Sequence, residues 1–138
     1  MSETLEALFL LSILSLLVMM VLLNYNSVFK SVEETAVKAT MQNVAAKIVN
    51  DLHAMYYLTI YPGNLTMVKK LEVPEKIGGE TYIIRIKPGS VELEGKYSVF
   101  VPISSKIPVE ESEALSVNAY LVYHPERGKI EVTNLEER

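Results

Sequence analysis

Ala7-Leu8-Phe9-Leu10-Leu11-Ser12-Ile13-Leu14-Ser15-Leu16-Leu17-Val18-Met19-Met20-Val21-Leu22-Leu23 carries no charge, no Gly and no Pro, and its only non-apolar members are Ser12 and Ser15. Both hydroxyls can bond back to carbonyls one turn earlier, so a helix over this run is apolar on every side. Such a helix cannot face water. At ~1.5 Å per residue the run spans ~25 Å, slightly less than the ~30 Å hydrocarbon core, and Leu5 with the uncharged Asn24-Tyr25-Asn26 lengthens it. It is long enough to cross a bilayer.

The pattern changes further along without a break. From Val28 the apolar positions are Val28, Val32, Val37, Met41, Val44, Ile48, Leu52 and Met55, which stay near one helical face. Lys30, Glu33, Glu34, Lys38, Lys47 and Asp51 supply charge elsewhere, and Ala36, Ala39, Ala45 and Ala46 favour helix. Glu34 precedes Lys38 by four residues, the stabilising orientation for an exposed pair. No Gly or Pro occurs before Pro62, so one helix is predicted to reach about Tyr57 and to stop at Tyr61-Pro62-Gly63-Asn64.

A removed secretory signal is disfavoured. The N-terminus reads Met1-Ser2-Glu3-Thr4-Leu5-Glu6, without the positive charge of a signal peptide, and the apolar run ends in Leu22-Leu23-Asn24-Tyr25 rather than in a small-residue cleavage site. The apolar segment is expected to be kept in the working protein.

Beyond Pro62 the sequence reads as strands. The runs 65–73, 81–87, 90–94, 97–101, 115–123 and 129–133 are rich in Val, Ile, Tyr and Thr. Pro88-Gly89, Glu94-Gly95-Lys96 and Pro125-Glu126-Arg127-Gly128 suit tight connections between antiparallel neighbours. Five or six strands forming a small sandwich or meander are predicted. Val91 and Leu93 alternate with Glu92 and Glu94, and Ile130 and Val132 with Glu131 and Thr133, so these strands bury one face. The fold class is therefore α+β, organised as an apolar helix (1–27), its amphipathic continuation (28–60) and a small all-β domain (61–138). Val37, Met41, Val44 and Ile48 are the residues expected to pack the helix on the sheet.

Composition excludes several functions. The chain has 138 residues, so little more than one modest water-soluble domain remains beyond the apolar helix. The net charge of −4 is spread evenly, with five acidic against three basic residues before Tyr61 and twelve against ten from there on. Without a basic cluster interleaved with aromatics, direct nucleic-acid binding is not expected. The chain has no Cys, which removes disulfides, thiolate metal sites and thiol catalysis. No phosphate-binding Gly loop, Ser-His-Asp set or paired carboxylates can be found, so no catalysis and no cofactor are expected.

A long helix with hydrophobic first turns, leading through Ala45-Ala46-Lys47-Ile48-Val49-Asn50-Asp51-Leu52 into a small all-β domain, is similar to type IV pilin-like proteins. The archaeal branch fits best. Val73-Pro74-Glu75-Lys76-Ile77-Gly78-Gly79-Glu80-Thr81-Tyr82-Ile83-Ile84-Arg85-Ile86 resembles the Pro-Glu-x-Ile-Gly-Gly-x-x-Tyr-x-Ile segment of many such sequences. On its own physics, Pro74 ends an extended segment, Gly78-Gly79 permits positive φ, and Tyr82, Ile84 and Ile86 alternate inward.

The resemblance implies a subunit of an extracellular filament whose partners are copies of itself and other pilins. It waits in the membrane with its globular part outside before it assembles. Leu5, Leu8, Phe9, Leu11, Ile13, Leu16, Leu17, Met20 and Leu23 would then form the assembly helix. Pilin precursors carry a basic leader, yet there is no Lys or Arg before Lys30, so the chain is either the mature form or not a processed pilin. Glu3 and Glu6 lie near the position where bacterial pilins pair a Glu with a neighbour's amino terminus. The rival reading is negative charge at a helix N-terminus. The competing function is a membrane-anchored β-domain accessory protein that does not polymerise. The placement of Lys and Arg only after the apolar run weakly favours a cytoplasmic β domain, but Glu33 and Glu34 follow Lys30 and a removed basic leader would supply the missing cytoplasmic charge, so the extracellular orientation is expected. A soluble coiled coil is excluded by the absence of a single apolar seam.

Four smaller features complete the reading. Asn64-Leu65-Thr66 is a glycosylation sequon in a predicted surface turn. His53 and His124 stand apart from other ligand residues and read as ordinary side chains rather than metal ligands. Glu110, Glu111 and Glu113 read as a solvated loop rather than a calcium loop. Tyr56, Tyr57 and Tyr61 read as core or subunit-contact aromatics.

Overall fold

The computed structural model describes residues 2–60 and 65–135. One helix, α1 (Ser2–Thr59), is followed by seven strands: β1 (Met67–Lys70), β2 (Ile83–Lys87), β3 (Ser90–Glu94), β4 (Ser98–Pro102), β5 (Ser112–Leu115), β6 (Ala119–His124) and β7 (Lys129–Asn134). The chain divides into two units, Met1–Ala36 and Val37–Arg138, and α1 contributes to both.

The first unit is helix. Ser12 Oγ donates to the Leu8 carbonyl and Ser15 Oγ to the Leu11 carbonyl, each at 2.9 Å. The only two polar groups in the apolar run are thereby satisfied within the helix. Thr35 Oγ1 does the same with Ser31, also at 2.9 Å.

The second unit is built on the striped part of α1. Val37, Met41, Val44, Ala45, Ile48, Val49, Leu52 and Met55 are buried, a stripe stepping by three and four along one face. They share one hydrophobic core with Tyr82, Ile84, Ile86, Val91, Leu93, Val99, Leu121, Ile130 and Val132. The stripe starts later than its periodicity alone indicates: Val28 and Val32 are both 61% exposed. Spacing marks which face of a helix is apolar, whereas burial also requires something to cover it. At its other end α1 closes with Thr59 Oγ1 donating to the Tyr56 carbonyl at 2.6 Å.

The strands form two antiparallel sheets, ordered β1-β6-β7 and β4-β3-β2-β5. In the hairpin β2–β3, Lys87 stands opposite Ser90. Pro88 and Gly89 are the two central residues, and Gly89 at φ 95° supplies the positive φ that a type II turn requires there. Tyr82, Ile84 and Ile86 point inward, as do Val91 with Leu93 and Ile130 with Val132.

Seven strands replace the five or six predicted, because the run 115–123 is two strands in two different sheets. β5 ends at Leu115 and pairs with β2, and β6 begins at Ala119 and pairs with β1 and β7. Between them Asn118 adopts φ 54°, a left-handed conformation that Asn tolerates better than most residues. Asn134 on β7 holds this crossing: its Oδ1 accepts from Leu115 N–H at 2.8 Å, and its Nδ2 donates to the carbonyls of Leu115 and Val117 at 2.9 and 2.8 Å. Val132 N–H adds a bond to Ser112 Oγ at 2.9 Å.

Candidate assembly and membrane segment

Every residue from Ser2 to Val32 is exposed. The nine residues Leu5, Leu8, Phe9, Leu11, Ile13, Leu16, Leu17, Met20 and Leu23 all belong to this surface, from 40% exposed at Ile13 to 68% at Leu5. Fifteen large apolar side chains are exposed between Leu5 and Leu23. At about 1.5 kcal/mol for each one left in water, the penalty is on the order of 20 kcal/mol, more than the ~5–15 kcal/mol that holds a typical domain together. A soluble monomer does not carry such a surface.

The segment has the dimensions of a membrane span. An 18-residue window of α1 has a mean hydropathy of 2.6 and none of it is buried. The charge-free stretch between Glu6 and Lys30 would extend ~34 Å as helix, which matches a ~30 Å hydrocarbon core. Its two borders differ. Glu3 lies in the first turn of α1, where the helix dipole favours negative charge; neither it nor Glu6 forms an ion pair among the described residues. At the other border the rings of Tyr25 and Phe29 stack with centroids 6.4 Å apart, and Tyr25, apolar in its ring and polar at its hydroxyl, suits the level where apolar and aqueous media meet. Ser12 and Ser15, being small, leave shallow grooves bordered by Leu11, Leu14, Val18, Met19 and Leu22.

The segment 73–86 has a different use, because its contacts lie inside the second unit. Tyr82 Oη donates to the Pro74 carbonyl at 2.6 Å. Ser116, itself buried, accepts from Tyr82 N–H at 3.3 Å and donates to the Glu75 carbonyl at 2.5 Å. Lys47 Nζ on α1 donates to the Glu72 carbonyl at 2.6 Å. Ile77 and Glu80 bridge across Gly78-Gly79. Together these bonds strap the polar connection between β1 and β2 onto α1 and the sheet. Burial pushes the Tyr82 hydroxyl up to about 12, since the phenolate would have to form away from water.

The other candidates are dispersed. His124 Nε2 meets Glu131 Oε1 at 2.6 Å across β6 and β7, whereas the buried His53 Nε2 lacks a hydrogen-bond partner. Glu110 pairs with Arg127 at 2.7 Å. Glu113 is not in a loop: it lies on β5 and faces Arg85, which contacts Glu113, Glu94 and Glu92 at 3.3, 3.1 and 3.6 Å. That cross-strand group is invisible until the strand register is known. Tyr56 packs against the core while Tyr57 is exposed. Tyr61 and Asn64 lie outside the described residues.

No known protein family, curated protein or solved structure matches the chain.

Proposed function

We propose that this chain is the structural subunit of an extracellular type IV pilus-like filament, held in the membrane by α1 before assembly. The observation that carries the reading is the all-round apolar surface from Leu5 to Leu23, unburied within its own chain. Two media match that polarity: lipid, and a bundle of identical helices. Moving from one to the other loses little hydrophobic free energy, because lipid tails are as apolar as Leu, and gains close packing. The grooves at Ser12 and Ser15 suit such packing, since small residues let helices approach. The second unit supports the reading by being self-sufficient. Its core closes without the first unit, so it can stay folded whichever medium the apolar helix occupies.

The test is electron microscopy of material sheared from producing cells, with mass spectrometry of its N-terminus. Filaments built from this chain are expected. Recovery of the chain only from membranes, as a monomer or small complex, would replace this reading with that of an anchored accessory protein that does not polymerise.

A further inference from the structure

Two strand edges of the second unit present unpaired backbone among the described residues, and they complement each other. β4 pairs only with β3, and β1 only with β6. Ile103 N–H donates to the Gly89 carbonyl and Gly95 N–H to the Tyr97 carbonyl. Because bonded and non-bonded pairs alternate along an antiparallel ladder, the backbone of Val99 and Val101 addresses β3, and that of Ser98, Phe100 and Pro102 faces away. By the same rule, the bond from Leu71 N–H to the Ala119 carbonyl leaves Val68 and Lys70 facing away from β6. The remaining edges, β5 and β7, are joined to each other through Ser112 and Asn134.

Natural edges are usually guarded by charge, proline or a bulge. β4, reading Ser98-Val99-Phe100-Val101-Pro102, has only the proline at its end, and Phe100 is 70% exposed; β1 carries its charge in Lys69 and Lys70. On β1, Val68 is 54% exposed opposite Val122.

We propose, resting on the filament reading above, that β1 of one subunit adds antiparallel to β4 of the next and joins their two sheets. The register follows from chemistry. With Phe100 opposite Val68, Ser98 lies opposite Lys70 and Pro102 opposite Thr66. Phe100 and Val68 exchange both backbone bonds, Ser98 and Lys70 exchange two more, and Thr66 N–H meets the Pro102 carbonyl, so the donor that proline lacks falls at the end of the ladder. Phe100 then packs on Val68 and Val122, and Lys70 arrives beside Glu94, the β3 neighbour of Ser98. A shift by two residues sets Glu72 against Ser98 and Glu94, a like-charge contact, and the Glu72 carbonyl is already bound to Lys47. Pairing of β4 with a second β4 offers no charge match. The proposed contact is heterologous: each subunit keeps one free β1 and one free β4, so addition repeats from subunit to subunit and gives an open polymer where the rotation does not close a ring. A ladder this short is weak by itself, and tethering of subunits through their helices raises its effective concentration.

The chain has no cysteine, so introduced ones report cleanly. Val68→Cys and Phe100→Cys would be made singly and together in the full chain, in producing cells, at two exposed positions. Bonded antiparallel pairs have Cα atoms ~5.5 Å apart, within the range a disulfide spans. After oxidation with copper phenanthroline the double variant is expected to give a ladder of cross-linked oligomers on a non-reducing gel. Each single variant stays monomeric, and the two singles co-expressed give dimers only. Absence of the ladder overturns the edge pairing, as does dimerisation of the Phe100→Cys chain alone. Micrographs of the wild type read the filament separately. Filaments without a ladder discard the edge pairing and keep the filament, whereas a ladder without filaments keeps the pairing and discards the filament.

Discussion

Gly78 lies directly against Val37: a Cβ placed on Gly78 would come within 3.2 Å of Val37 Cγ2, at a backbone φ of +64°. The connection between β1 and β2 thus touches the first buried residue of the α1 stripe through a position where any side chain is both strained and crowded. Gly78→Ala is expected to lower the stability of the second unit by about 1–2 kcal/mol from the left-handed backbone alone, with the contact adding to it. Gly79 has φ +82° and no atom within 4 Å of such a Cβ, so Gly79→Ala should cost less. Thermal unfolding of the two variants in detergent checks the order.

The Tyr82 hydroxyl can donate to Pro74 only while it is protonated. Its pKa is raised from 10.0 to about 12, so the folded state holds this proton more tightly than the unfolded chain. That contribution is fully present below pH 10 and is lost as pH rises through 12. Tyr82→Phe should cost about 1 kcal/mol at neutral pH by leaving the Pro74 carbonyl without its donor, and should flatten the alkaline fall in stability. Denaturant midpoints measured from pH 7 to 12 on both proteins test the sign. An equally steep alkaline limb in the variant would contradict it.

Ile48 is fully buried and Val32 is 61% exposed, although both fall on the same periodic stripe of the sequence. Ile48→Ala is expected to destabilise the second unit by ~2–5 kcal/mol through lost burial and a cavity. Val32→Ala should leave its unfolding midpoint within error.

Leu16 lies inside the apolar run. An Asp near the centre of a membrane helix is disfavoured by about 3 kcal/mol, roughly a hundredfold in partitioning. Leu16→Asp should therefore deplete any membrane-bound fraction and, on the function proposed above, abolish filaments. Near-ultraviolet circular dichroism of the second unit's tyrosines should be unchanged, because Leu16 is no part of its core.

Much of this architecture is legible in the sequence because it depends on local rules. An apolar run with two self-satisfying serines must be helix, and Tyr82, Ile84 and Ile86 must share one face of a strand. What escapes is decided by partners distant in the chain. β5 reads in sequence as part of an acidic loop, whereas Glu113 stands opposite Arg85 on β2, a relation that no spacing encodes. The break at Asn118 hides inside a continuous run of strand-forming residues, since one left-handed residue leaves no compositional trace. The start of the buried stripe at Val37 rather than Val28 depends on what covers the helix. For the candidate apolar segment, the residues are plain in sequence, whereas the open edges of β1 and β4 become visible only once every other strand has been paired.

The amide side chain of Asn134 bonds β7 to Leu115 and Val117 at the crossing between the two sheets. One sheet therefore cannot peel from the other without breaking these bonds as well as the shared core. The second unit should open as one cooperative body, so the amides of Ile86 in one sheet and Leu121 in the other, both fully buried, should exchange their hydrogens at one common rate, that of global unfolding. A pull arriving through either sheet is then distributed over both.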